Sequence, residues 1–127
     1  MVYVVVALAS FVAALVATPL ARRLSFRLGI VAAPGGRRQH RGHIPKLGGL
    51  AVAAAWAVGI VLTYLLLPPG NPDDALRLRG VVLGSLVVVV GGLLDDRYDL
   101  APWAQLLIQL LGALVAILHI LFIEVFT

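Results

Sequence analysis

Residues 80–100 read GVVLGSLVVVVGGLLDDRYDL. The apolar run 80–94 is uninterrupted and ends in two adjacent carboxylates, Asp95 and Asp96; a third, Asp99, follows about one helical turn later. Charge at a bilayer boundary is costly to desolvate, so acids placed there mark an ion or substrate site by default. On a continuing helix Asp95 and Asp99 are spaced i, i+4 and Asp96 and Asp99 i, i+3, which predicts one shared face. A helix that simply stops in water, with soluble acids on its end, is the weaker reading.

The rest of the chain agrees with a membrane setting. Its 127 residues are 61% hydrophobic and 13% charged, with mean hydropathy +1.04. Soluble domains carry about 45–50% apolar and about 25% charged residues. The length suits one domain, with little interior left for a large substrate. Cysteine is absent, which excludes disulfides, thiolate catalysis and cysteine-ligated metals. The sequence predicts an all-α, polytopic transmembrane helical bundle with four spans, at about residues 2–20, 47–67, 80–94 and 103–123. The first lacks a positive n-region and has its charges behind it, so a retained helix is expected rather than a cleaved signal. Spanning takes roughly 17–25 apolar residues. The third segment has only 15, or roughly 22 Å of helix, short of a hydrocarbon core about 30 Å thick. Its length predicts Arg77 and Arg79 snorkelling at one end and Asp95 at or slightly below the interface at the other, in a protein-lined cleft.

Charge placement predicts the orientation. The loop 21–46 holds Arg22, Arg23, Arg27, Arg37, Arg38, Arg41 and Lys46, and the third connection adds Arg97. The connection 68–79 holds only Arg77 and Arg79. That asymmetry puts the first and third connections in the cytoplasm, on the same side as the acids. The pI near 10.4 therefore reflects membrane topology, and no nucleic-acid partner is expected.

Within the first loop, Arg22, Arg23 and Arg27 need only the positive-inside signal and attraction to anionic lipid. The denser cluster Arg37, Arg38, His40, Arg41, His43 and Lys46, behind the Pro34–Gly35–Gly36 turn, reads better as a phosphate or pyrophosphate site, since Arg grips such groups bidentately. Gly48 and Gly49 allow close backbone approach to a ligand or helix–helix packing, with nothing to separate the two. Gly80 and Gly84 have small-xxx-small spacing and read as packing. Gln105 and Gln109 form an i, i+4 pair that can bond across helices or face a cleft. His119 reads as a hydrogen-bonded structural histidine, and Glu124, five residues on, is poorly spaced to pair with it.

The order of an apolar helix, a basic loop ending PGGRRQH…IPKLGG, a helix, and a helix ending GLLDDRYDL before Ala101–Pro102 resembles the N-terminal part of the polyprenyl-phosphate N-acetylhexosamine-1-phosphate transferases, from about residue 18 to residue 109. The resemblance implies transfer of a sugar-1-phosphate from a UDP-sugar to a membrane polyprenyl phosphate such as undecaprenyl phosphate. UMP is released, Mg²⁺ or Mn²⁺ is the cofactor, and the product feeds cell-wall or surface-polysaccharide synthesis. It implies a multi-pass protein of the cell membrane, its active site on the cytoplasmic side, and is compatible with a homodimer. By the same resemblance Asp95 and Asp96 are catalytic and the metal ligands in this segment, and His40, Lys46, Gly48, Gly49 and Asp99 bind substrate; Arg38 and Arg41 join them from the reading of the basic cluster as a phosphate site. An acid at Asp99, where the peptidoglycan-precursor branch carries Lys, resembles the branch that uses UDP-GlcNAc.

The departures are Ala32, where many members have Asp; Gln105, in place of a common Lys; and the chain's end, beyond which the family continues through further helices holding a metal-binding Asp motif and a His-containing loop. The resemblance thus implies a fragment or truncated product that is inactive alone. The chemistry suits the residues: phosphoryl transfer needs chiefly positioning and charge stabilisation, and a divalent cation favours two neighbouring carboxylates as anions. A small four-helix transporter or a non-catalytic membrane scaffold is the alternative. The transporter explains neither the Arg/His cluster nor acids confined to one end of a helix.

Overall fold

In a computed structural model of the chain, residues 1–32 and 43–126 are described, with side chains as far as residue 119. The chain divides into two units, Met1–Leu66 and Leu67–Thr127. The first pairs α1 (Val2–Arg27) with α2 (Gly48–Leu66), and the connection between them begins and ends in a short antiparallel pair, β1 (Val31–Ala32) and β2 (Ile44–Pro45). The second pairs α3 (Pro72–Tyr98) with α4 (Pro102–Phe126). Each of the four helices is long and apolar enough to cross a membrane. The all-α, four-span expectation therefore holds for the described residues, the two-residue strands apart.

The helix ends correct the expected boundaries. Charge does not stop α1 at residue 20; the helix runs through Arg22 and Arg23 to Arg27. What stops it is Gly29, at φ 67°, with the Gly29 N–H donating to the Phe26 carbonyl at 3.3 Å and the Ile30 N–H to the Ser25 carbonyl at 2.9 Å. This bond pattern satisfies the last carbonyls of the helix around a left-handed glycine.

Nor is the third helix short. α3 has 27 residues, roughly 40 Å at about 1.5 Å per residue. It begins eight residues before the apolar run, because Asn71 caps it, accepting from the Asp74 N–H at 2.7 Å, with Pro72 in its first turn. Asp73 and Asp74 meet the positive end of the helix dipole there. Asp95 is therefore not placed by a short helix: it lies in the last turn of a helix long enough to span.

Burial is reversed from the pattern of a soluble protein. Large side chains such as Leu8, Phe11 and Leu15 on α1 and Leu106 and Leu110 on α4 are exposed, while Ala21, Ala51 and Ala55 are buried in the first unit. In the second unit the buried positions of α3 are Gly80, Gly84 and Gly91. Lipid tails are as apolar as leucine, so no hydrophobic force drives helix pairing; small residues that admit close backbone contact do. A Cβ on Gly84 would fall 2.5 Å from the Gly112 carbonyl oxygen, and one on Gly80 would fall 2.5 Å from the His119 Cβ. The packing expected of Gly80 and Gly84 is what they do. His119 completes it as a structural histidine, its Nδ1 2.7 Å from the Val115 carbonyl.

Gly84 and Gly92 make a matched test. Both are interior to α3, where alanine improves helix propensity by about 1 kcal/mol, but a Cβ at Gly92 meets nothing within 4 Å. Gly84→Ala should lower the melting temperature in detergent, since overpacking against backbone costs about 1–3 kcal/mol. Gly92→Ala should leave it unchanged or raise it. Equal melting temperatures would show that α3 and α4 do not pack through Gly84.

Candidate functional site at the acidic end of the second unit

Positions 80, 84, 88, 91 and 95 fall within one narrow stripe of a helix of 3.6 residues per turn. Asp95 thus continues the stripe that packs against α4, and Asp96 points about 100° away. Asp95 is half-buried. Its Oδ1 accepts from the Leu100 N–H at 2.9 Å and from Gln105 Nε2 at 2.8 Å, and Gln105 Nε2 also donates to the Leu100 carbonyl at 3.2 Å. The carboxylate therefore joins the end of α3, the turn after it and the first turns of α4. Among the described residues no hydrogen bond reaches Oδ2.

The expectation of a continuing helix through Asp99 is corrected. α3 ends at Tyr98, and Asp99 is its C-cap in the left-handed conformation at φ 49°, its N–H donating to the Asp95 carbonyl at 2.8 Å. An aspartate is among the few non-glycine residues that adopt this conformation readily. Asp99 therefore follows Asp95 by one hydrogen-bonded turn but does not lie on a shared helical face. Asp96 is half-buried, Asp99 exposed, and Arg97 lies over the Tyr98 ring at 5.8 Å from its centroid.

Beside Asp95 is an open cleft of about 110 Å³, walled by Val88, Gly92 and Ile108, with Asp95, Gln105 and Gln109 as its polar residues. Enclosing a whole small-molecule ligand takes about 300–1,000 Å³. The cleft can admit water, an ion or one functional group of a substrate, and the bulk of a nucleotide sugar would lie outside it. Oxygen donors such as the Asp95 and Asp96 carboxylates suit a hard divalent cation. Among the described residues there is no group of three or more His, Cys, Asp or Glu able to hold a metal.

The basic loop belongs to the first unit. Arg38, His40 and Arg41 lie outside the described residues. Lys46 follows β2, and its backbone N–H donates to the Ile30 carbonyl at 3.2 Å and to Ser25 Oγ at 3.1 Å. Ser25 is fully buried, and its hydroxyl donates in turn to the Ile30 carbonyl. This hydroxyl ties together the two ends of the loop. Sequence reading missed it; the available signal was a lone small polar residue in the last turn of α1, ahead of the Leu28–Gly29 stop. A Cβ at Gly48 or at Gly49 meets nothing within 4 Å, so neither is packed against a neighbour within the first unit.

The chain is similar over 111 residues, at 30% identity, to the probable undecaprenyl-phosphate N-acetylglucosaminyl 1-phosphate transferase of Bacillus subtilis; the match covers 87% of this chain and 29% of that protein. Over 112 residues it is 36% identical to the undecaprenyl-phosphate alpha-N-acetylglucosaminyl 1-phosphate transferase of Haemophilus influenzae, covering 87% and 28% of the two chains. The Escherichia coli K12 protein of the same name is 35% identical over 89 residues, 70% of this chain and 22% of the relative. No family model and no solved structure matches the chain. The chain spans less than a third of the length of these relatives. On the strength of this similarity it belongs to the polyprenyl-phosphate N-acetylhexosamine-1-phosphate transferase family.

Proposed function

We propose that this segment serves the transfer of GlcNAc-1-phosphate from UDP-GlcNAc to undecaprenyl phosphate at the cytoplasmic face of the cell membrane, in a protein of the relatives' full length. The observation that carries the reading is the Asp95 carboxylate: it lines the cleft and one of its oxygens is held by two hydrogen bonds, within a stretch similar to proteins named for this transfer.

In the reaction an oxygen of the lipid phosphate attacks the phosphorus that carries the sugar. The bond from that phosphorus to the UMP oxygen breaks, UMP leaves, and a lipid-diphosphate-sugar results. Asp95 Oδ2 accepts the proton of the lipid phosphate or orients the phosphate for attack, and its fixed partner oxygen holds it in place for either. Asp95 and Asp96 would hold Mg²⁺ or Mn²⁺, which when bound supplies neutralisation of the diphosphate charge. Arg38, His40, Arg41 and Lys46 supply positive charge for the phosphates, and Gly48 and Gly49 offer open backbone at the start of α2. The exposed, left-handed Asp99 is the residue that favours UDP-GlcNAc over a UDP-muramyl peptide.

Asp95→Asn and Asp96→Asn test the site. Asn at 95 keeps an oxygen for the Leu100 and Gln105 donors and replaces the other oxygen, with the charge, by an NH₂ donor. Hydrogen bonds within membranes average about 0.6 kcal/mol, so melting temperature should hold. Transfer in the full-length protein should fall by about 10²-fold or more, the lower range for loss of a proton-transferring group. Near-normal turnover in either variant, or its loss through unfolding, would remove that carboxylate from the mechanism. Radiolabelled lipid should form from UDP-GlcNAc; formation from UDP-MurNAc-pentapeptide would overturn the donor assignment.

The cytoplasmic placement rests on eight Lys and Arg in the first and third connections and the helix ends beside them, against two at the start of α3 beside the second. The cysteine-free chain allows single labels. Ser25, fully buried, is a poor choice; exposed Leu28 and Gly70 suit. In intact cells an impermeant maleimide should modify Gly70→Cys and spare Leu28→Cys until the membrane is opened. The opposite pattern would invert the topology.

A further inference from the structure

Gln105 belongs to none of the roles given so far, yet it makes the side-chain contact that joins α4 to Asp95. Its Nε2 lies 2.8 Å from Asp95 Oδ1 and 3.2 Å from the Leu100 carbonyl. Both neighbours are acceptors, so only the NH₂ end of the carboxamide can face them, and its two protons serve the two contacts. With the Leu100 N–H on the same Oδ1, that oxygen has donors from the turn and from α4. A carboxylate tied at one oxygen from two directions cannot rotate freely about its last side-chain bond, and Asp95 lines the same cleft as Gln105 and Gln109.

We propose that Gln105 is a positioning residue for transfer, holding Asp95 so that Oδ2 meets the phosphate or cation; the proposal rests on the functional reading above. Hydrogen-bond partners of this kind, one shell out from a metal or reacting group, typically change affinity or activity by about 10–100-fold when lost.

The contact is tested first without activity. The chain has three glutamines, Gln39, Gln105 and Gln109, so side-chain ¹⁵N-glutamine labelling in detergent gives a spectrum simple enough to assign. The Gln105 carboxamide resonances should move in Asp95→Ala; resonances that stay in place would overturn the contact and the proposal. In the full-length protein Gln105→Leu should lower kcat by about 10–100-fold, with KM for UDP-GlcNAc and melting temperature little changed. Gln105→Lys, which restores an N–H donor of similar reach, should recover kcat to within a few-fold of wild type. Wild-type kcat in Gln105→Leu, while Asp95→Asn is inactive, would overturn the positioning role alone. A Gln105→Leu protein that loses both kcat and stability, unrescued by Lys, would make the residue structural and overturn it too. Retained turnover in Asp95→Asn would instead overturn the reading on which it rests.

Discussion

The close approach of α3 to α4 is the constraint on which the acidic end depends. Backbone meets backbone at Gly84 and Gly112, with the Gly112 carbonyl where a Gly84 side chain would be. Only at such a separation can Gln105, near the start of α4, reach Asp95, in the last turn of α3. The stripe of small residues and the acid share one helical period, so one packing decision sets both. Lipid offers no hydrophobic reward for pairing these helices, which makes the glycines the determinant of where the carboxylate stands.

Asp95 answers two demands with its two oxygens. Oδ1 serves the fold: it takes the Leu100 N–H just beyond the helix end and the Gln105 amide from the next helix. Oδ2, which takes no hydrogen bond from the described residues, is the oxygen that the proposed transfer would use. A carboxylate that had to do both with one oxygen would lose its anchor whenever it bound a cation or a proton. The αL cap at Asp99 lets the chain turn within a few residues and brings the Leu100 N–H back onto Asp95.

Much of this was legible in the residues. Four apolar segments announced four helices, the spacing of Gly80 and Gly84 announced a packing face, and the Asp-Asp end with the basic loop announced the family. The helix ends were not legible from hydropathy, because α1 and α3 extend through charged residues that capping and glycine stops, rather than charge, delimit. The shared face of Asp95 and Asp99 failed for the same reason: the left-handed cap interrupts the period used to predict it. The spacing of Gln105 and Gln109 allowed a bond across helices but not its partner, and Ser25 showed only as a lone small polar residue, since each contact joins residues whose proximity exists only once the chain has turned back.

The Ser25 hydroxyl has a consequence for variation in length. It and the Ile30 and Lys46 backbone close the neck of the first connection, so α1 and α2 are joined at residues 25–30 and 44–46 whatever number of residues runs between. Lengthening a closed loop costs little, about 0.6 kcal/mol per doubling. A change in the number of residues between 32 and 43 should therefore leave the pairing of α1 with α2 in place.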